Sequence, residues 1–120
     1  MGDKDVRVSC DATGAANLDV MDRLDFEALN RGDWNLFAAL HHDDVTVHWK
    51  GERLEGLAAH AADVQQALVT MPEAPVVGHP IAFAAGDWVC VVAEIAGGGR
   101  AVVIARLADG RIAEEHIFDG

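Results

Sequence analysis

The chain has 120 residues, of which 51% are hydrophobic, and its 20 acidic and 9 basic residues give a formal net charge of −11. A chain of this length predicts one domain, with a core large enough to fold without disulfide bonds. The acidic balance, with no cluster of Lys or Arg, disfavours nucleic acids and anionic membranes as partners. No apolar run is long enough to span a bilayer, so no membrane segment is predicted.

Cysteine usage and the N-terminal sequence point to the same compartment. Cys10 and Cys90 are far apart and form no metal-binding or redox motif. The first residues lack the apolar core of a secretion signal. Both features indicate a reduced, cytoplasmic chain.

Helical patterns occupy the first part of the chain. Residues 1–14 mix charged residues with Ser, Thr and Gly, which predicts an N-terminal tail. A first helix is predicted over 15–31, where apolar residues recur at helical spacing, and Gly32 ends it. Further helices are predicted over 34–41 and 57–71.

Strand patterns dominate the remainder. Residues 45–50 alternate between apolar and polar side chains, as expected for a half-buried strand. Four more strands, with glycine-containing turns between them, are predicted over 76–84, 88–96, 100–108 and 111–118. Helices first and an antiparallel meander afterwards are typical of the α+β class and argue against βαβ units.

Standard catalytic and cofactor motifs are absent from the sequence. It has no Gly-x-Gly-x-x-Gly after a strand, no phosphate loop, no His-Glu-x-x-His and no Cys-x-x-Cys. Of the six histidines only His41 and His42 are close in sequence, and adjacent residues at a helix end point apart. Their position instead suits an imidazolium that complements the helix dipole. We therefore expect no metal site and no cofactor.

Three runs resemble a known family. Residues 26–49 read as a helix, a Gly-Asp break, a short helix, an Asp-Asp turn and a strand. Gly-Asp-Trp-Val at 86–89 and Asp-Gly-Arg-Ile-Ala-Glu at 109–114 are similar to the family's Gly-Asp-x-Val and Asp-Gly-Lys-Ile-x-Glu strand starts. Over roughly 16–120 the chain resembles the nuclear transport factor 2-like superfamily, and within it the SnoaL-like polyketide cyclases and the ketosteroid isomerases. The resemblance implies a cone-shaped α+β barrel over 15–120, in which three N-terminal helices pack on a curved, mostly antiparallel sheet.

The resemblance also shows a departure at the usual catalytic positions. The tyrosine that helps to hold the oxyanion in ketosteroid isomerases corresponds to Asp25, and the general base of those isomerases corresponds to Trp49. The isomerases' second oxyanion donor and the base of the SnoaL-like cyclases share one position, three residues before an arginine on the next-to-last strand. If that arginine is Arg106, the position corresponds to Val103. Both usual carboxylates are therefore absent, which argues against the ordinary isomerase and aldol-cyclase mechanisms. An epoxide-hydrolase Asp-Arg-Asp set cannot be assembled around Arg106 either.

Other carboxylates are candidates for the chemistry. The resemblance implies that Glu115 faces the cone from the last strand, and Glu94 lies on the central strand among apolar neighbours. Burial in such surroundings raises a carboxyl pKa towards the range useful for a general base. Asp25 interrupts an apolar helix stripe, so a functional role, a structural hydrogen bond and simple exposure all stay open. The predicted pocket walls are Trp49, Trp88, Val92, Val103, Ile117 and Asp119.

Histidines could assist these carboxylates or simply pack. His48 stands at the end of the first strand, where SnoaL-like proteins often carry a histidine. Strict alternation places it on the face opposite Trp49 unless a bulge intervenes. His60, His79 and His116 are each interpreted mainly as packed or structural.

Two classes of function follow. The first is a small-molecule enzyme that performs proton-transfer chemistry, such as cyclisation, isomerisation or dehydration, on a hydrophobic substrate in the cone. The second is a non-catalytic protein for small-ligand binding or assembly that lost the usual carboxylates. In both classes a homodimer through the sheet is predicted, because the strands are apolar on both faces and three helices can cover only one.

Overall fold

The computed structural model describes residues 5–119. Within them, three helices are α1 Ala12–Asp22, α2 Trp34–Ala39 and α3 Leu57–Leu68, and α1 continues as a π-helical segment over Arg23–Leu29. The strands of this part of the chain are β1 Val6–Ser9, β2 His41–Trp49, β3 Glu52–Glu55, β4 Val76–Ala85, β5 Trp88–Ile95, β6 Arg100–Ala108 and β7 Arg111–Asp119. None of the helices in the described range is long and apolar enough to cross a membrane.

Aspartate side chains cap the first two helices. Asp11 Oδ1 accepts a hydrogen bond from the backbone N–H of Gly14 at 2.6 Å, and Asp33 Oδ1 accepts one from Leu36 at 3.0 Å. Each cap satisfies an amide that has no partner within its helix. Gly32 adopts a φ of +68° between the π-helical segment and α2, where a side chain would be strained.

All strands of the described range join one sheet in the order β1-β4-β5-β6-β7-β2-β3. The central β4-β5-β6-β7 meander is antiparallel, while β1 pairs with β4 and β2 pairs with β7 in parallel. The sheet is open, because β1 and β3 form its two edges. The predicted α+β architecture of three helices and a curved, mostly antiparallel sheet is thus confirmed.

The N-terminal segment differs from the predicted tail. Residues 6–9 form strand β1, in which Val6 pairs with Ile81 and Val8 with Phe83. Helix α1 also begins at Ala12, three residues before the predicted start. The alternation of Val6 and Val8 was too short to distinguish from a tail in the sequence, and only the free edge of β4 makes it a strand. Residues 1–4 lie outside the described range.

The helices cover one face of the sheet, which we call the inner face. On β5 the residues that point inward are Val89, Val91 and Ala93, all at most 3% exposed. A paired row on this face runs across five strands through Ala84, Val89, Ala105, Glu115 and Val47. Glu115 is the only charged member of this row, and it is 2% exposed. A buried carboxylate needs partners, so this position is a candidate for function.

Candidate functional site

A cavity of about 410 Å³ lies between the helices and the inner face of the sheet. Much of its wall is apolar, with Leu24 and Val64 on the helical side. Three carboxylates also line it, those of Asp25, Glu115 and Asp119. Ligand pockets typically measure about 300–1,000 Å³, so this volume suits one small molecule.

Most of the residues singled out from the sequence line this cavity. They are Asp25, Trp49, Val103, Glu115, Ile117 and Asp119. The Nε1–H of Trp49 donates to Asp119 Oδ2 at 3.1 Å, which fixes the indole ring against the cavity. Trp49 and Val103, which the resemblance matches to the family's usual carboxylate positions, are here part of the wall.

Three predicted cavity residues, Trp88, Val92 and Glu94, lie instead on the outer face of the sheet. On β5 the odd-numbered residues point inward. The three even-numbered residues therefore point away from the cavity. The Glu94 side chain is 46% exposed, and its Oε2 lies 4.0 Å from a guanidinium nitrogen of Arg100. Both alternating sets on β5 are largely apolar, so the pattern could not decide the phase.

His48 also lies on the outer face, as strict alternation predicts. Its ring stacks on that of His116, with centroids 4.4 Å apart and planes inclined by 2°. His116 Nε2 in turn lies 2.7 Å from Glu114 Oε2. His48 is therefore not available as a partner for a carboxylate in the cavity.

Asp25 reaches the cavity from the π-helical segment and belongs to a chain of three side chains. Its Oδ2 lies 2.6 Å from Nε2 of His79, and Nδ1 of His79 lies 2.9 Å from Oδ1 of Asp22. Both ring nitrogens of His79 thus face carboxylate oxygens, which favours a doubly protonated ring. The Asp25 side chain itself is 16% exposed.

The Asp25–His79 pair has shifted pKa values. Burial raises the pKa of Asp25, and the opposing hydrogen bond and charge of His79 do not cancel this effect. Burial disfavours the charged form of His79, but its hydrogen bonds and charge attraction to Asp25 and Asp22 outweigh burial and raise its pKa. A proton is therefore held between these groups in a site that touches the cavity.

An irregularity in β4 brings His79 to the inner face. The pairing of β4 with β5 shifts register between Gly78 and Ile81. His79 is 9% exposed, although strict alternation from the buried Ala82 would turn it outward. Gly and Pro are common at such bulges, and here Gly78 and Pro80 flank the histidine.

Glu115 belongs to a second cluster, whose members are far apart in the sequence. Its Oε1 lies 3.1 Å from Nε2 of His41 and 3.2 Å from Nε2 of His60. His41 is the first residue of β2, and its Nδ1 lies 2.6 Å from the carbonyl oxygen of Phe37 in α2. The Phe37 ring packs against both imidazoles, with centroids 4.4 Å from His41 and 5.3 Å from His60.

This cluster keeps Glu115 ionised. Burial alone would raise the pKa of Glu115, but hydrogen bonds from His41 and His60, together with their charges, hold it well below its usual range. Asp25, by contrast, has a raised pKa. Two carboxylates with pKa values pushed apart are the usual arrangement for an acid–base residue beside a fixed negative charge.

The three histidines of these clusters had weak signals in the sequence. His41 follows α2 at four residues from Phe37, which is the spacing for a bond to a helix carbonyl. His60 shares a helix face with Val64, and Gly and Pro flank His79. Each signal indicates a local contact or irregularity, but none of them identifies the carboxylate that the histidine contacts.

Comparisons with known proteins agree with the fold. Residues 10–115 match the family model of the SnoaL-like domain. A candidate polyketide cyclase from Xanthomonas campestris superposes with a TM-score of 0.74 at 20% identity, covering 88% of this chain and 91% of its own. A candidate ketosteroid isomerase from Kribbella flavida gives a TM-score of 0.68 at 24% identity, with coverages of 89% and 79%. An NTF2-like protein from Cytophaga hutchinsonii gives 0.71 at 18% identity, with coverages of 87% and 89%.

No curated protein sequence matches this chain. At these identities the solved structures establish the fold alone, whereas the family model covers most of the chain. The chain therefore belongs to the SnoaL-like domain family, and it has the α+β fold of NTF2-like proteins.

Proposed function

We propose that this protein is an enzyme that moves a proton on a hydrophobic small molecule held in the cavity. The observation that carries the proposal is Asp25, a buried carboxyl group with a raised pKa that lines an otherwise largely apolar cavity. A raised pKa makes the carboxylate a stronger base, and its acid form can return the proton. Cyclisation, isomerisation and dehydration all need such a group.

Asp25 is the proton-transfer group in this mechanism, and His79 supports it. The ionised carboxylate takes a proton from a substrate carbon or hydroxyl, and the neutral acid returns it to the product. The short 2.6 Å contact with His79 holds the carboxyl group in one orientation during both steps. His79 is itself oriented by Asp22, in the manner of a base that a third group positions.

Glu115 has a different role, because its low pKa keeps it ionised. It places a fixed negative charge at the wall of the cavity and contributes to the raised pKa of Asp25.

The substrate class follows from the remainder of the wall. Trp49, Val103 and Ile117 offer apolar surface and one indole ring for stacking, which suits a compact ring system such as a polycyclic ketone.

Filling the cavity tests where the ligand binds. The Val103→Trp variant extends a large ring from β6 into the cavity and is expected to weaken ligand binding by at least about 10-fold, since the ligand and the indole compete for one space. Turnover and the ligand-induced rise in melting temperature are measured with a panel of polycyclic ketones and epoxides.

Val102→Trp is the matched control, because Val102 neighbours Val103 on β6 and points to the opposite face. It should bind and turn over ligands as the wild type does. Unchanged binding by a folded Val103→Trp variant would place the ligand elsewhere.

A non-catalytic binding protein is the second candidate. The feature that favours it is that Trp49 and Val103, which the resemblance matches to both usual family carboxylates, are wall residues. The same panel separates the two candidates. A ligand that raises the melting temperature of the wild type without being converted supports binding alone.

The proposal includes a homodimer through the outer face of the sheet. A row of paired positions crosses this face through Val8, Phe83, Cys90, Ile104, His116 and His48. Its apolar end borders a hollow of about 600 Å³, next to which Trp88 is 44% exposed. An exposed apolar patch of this kind usually marks an interface.

A charge at Trp88 is expected to dissociate the dimer, because burying an unpaired carboxylate in an apolar interface is costly. Light scattering at micromolar concentration should give a dimer for the wild type and a monomer for Trp88→Glu. Val69→Glu is the control, since Val69 is an exposed apolar residue just after α3, away from this face. A monomeric wild type would refute the proposed assembly.

A further inference from the structure

Two imidazoles and one carboxylate converge at the inner face of the sheet. Nε2 of His41 and Nε2 of His60 both point at Oε1 of Glu115, at 3.1 and 3.2 Å. Each residue offers one possible metal-ligand atom, these three atoms lie within 4.8 Å of one another, and all three residues are buried. The residues come from β2, α3 and β7, so the arrangement arises only in the folded chain.

The hydrogen bonds of His41 leave a mismatch inside this cluster. Its Nδ1 faces the Phe37 carbonyl oxygen, which can only accept, so Nδ1 carries a hydrogen. In a neutral ring Nε2 then presents a lone pair to an oxygen of the Glu115 carboxylate. Two acceptors that face each other at buried side chains require a cation between them, either a proton or a metal ion.

We propose that the His41–His60–Glu115 cluster binds a divalent transition-metal ion, with Zn²⁺ as the reference ion. Zn–N and Zn–O bonds of about 2.0–2.2 Å place tetrahedral ligand atoms about 3.4 Å apart. The two nitrogen–oxygen separations are within a few tenths of an ångström of that value. Two imidazoles and one carboxylate suit Zn²⁺ or Fe²⁺, whereas Mg²⁺ and Ca²⁺ prefer oxygen ligands.

The surroundings fit a metal ligand set. The bond from His41 Nδ1 to a backbone carbonyl is the contact that usually orients a metal-binding histidine. His60 Nδ1 is, within the described residues, the one buried side-chain polar atom without a partner. The His60 ring is thus held through Nε2 and by packing against Phe37, without the outer hydrogen bond that orients His41.

An ion in this cluster would have access to the cavity. Both His60 and Glu115 line the cavity, whereas His41 is completely buried behind them. The position opposite His41 is therefore the one left for water or for a carbonyl oxygen of a ligand. Three protein ligands with one open position are typical of catalytic rather than structural zinc. This role is separate from the proton transfer assigned to Asp25.

Titration calorimetry on chelator-treated protein tests the proposal. With ZnCl₂ we expect one ion per chain. Glu115→Gln and His60→Asn should each weaken the affinity for Zn²⁺ by more than about 100-fold. A loss of that size exceeds what removal of a residue that only orients a ligand typically causes. His42→Asn is the matched control, because His42 is the neighbouring histidine and its Nε2 contacts the Ala108 carbonyl oxygen instead. It should bind Zn²⁺ as the wild type does.

A second measurement on the wild type avoids reliance on variants that fail to fold. CoCl₂ should produce visible d–d absorption bands that Zn²⁺ abolishes. Absence of these bands, or zinc affinity that is equal in the wild type and in the folded cluster variants, would overturn the proposal and leave a proton-bridged cluster. Asp25→Asn should bind Zn²⁺ normally, so failure of the metal site and failure of the proposed proton transfer are distinguished.

Discussion

Replacing Asp25 by asparagine is expected to lower kcat/KM by about 10²- to 10⁴-fold on any substrate that the wild type converts. The amide keeps the size of the carboxyl group and can still contact His79, but it cannot accept a proton. The measurement is turnover across the panel of polycyclic ketones and epoxides, with a thermal melt to verify folding. Full activity of the folded variant would exclude Asp25 as the proton-transfer group.

Asp19→Asn provides the control for this substitution. Asp19 lies on α1 with a side chain that is 76% exposed, and it contacts Arg7 at the surface. Activity should be unchanged.

The pH profile gives a further check in the wild type. Because the ionised form of Asp25 is the base and its pKa is raised above 3.8, kcat/KM should rise with pH over a range above that of an ordinary aspartate.

Removing the Glu115 side chain is expected to have the largest effect on stability. Glu115→Ala leaves Nε2 of two buried histidines without an acceptor, and breaking a buried charged cluster typically costs about 3–5 kcal/mol. For a domain of this size that corresponds to a fall in melting temperature of roughly 10–20 °C. The measurement is chemical or thermal unfolding of chelator-treated protein.

Glu114→Ala is the comparison for this variant. Glu114 precedes Glu115 on β7 but points to the outer face, where its side chain is 27% exposed and contacts Arg106 and His116. Its loss should cost no more than about 1 kcal/mol, as for other partly exposed ion pairs. Equal losses in the two variants would contradict the central role of the buried cluster.

Much of the fold was predictable from the sequence because its patterns are local. Helical spacing, the Gly32 break and the glycine-containing turns located three helices and the four strands of the meander to within about three residues at most boundaries. Strand β1 was missed because four residues carry too little pattern, and pairing with β4 alone defines them. The phase of β5 was also missed, since both alternating sets on that strand are largely apolar.

The site was less predictable, because its contacts join distant parts of the chain. Asp25 stood out as a charge in an apolar helix stripe, and Glu115 stood out through the resemblance to the family. Their partners could not be read from spacing, since His79 is 54 residues from Asp25 and His41 is 74 residues from Glu115. The bulge in β4 adds a further difficulty, because it reverses the face that alternation would assign to His79.

The contacts that link Asp25, His79 and Asp22 have a consequence for proton transfer. Asp25 touches the cavity, His79 is buried, and the Asp22 side chain is 32% exposed beside Arg7. These three groups form a proton wire, along which hydrogen bonds lead from the cavity wall to bulk water. In the proposed mechanism, this route lets Asp25 exchange its proton with solvent between turnovers. The protonation state of Asp25 would then be reset from the helical side of the molecule, away from the bound ligand.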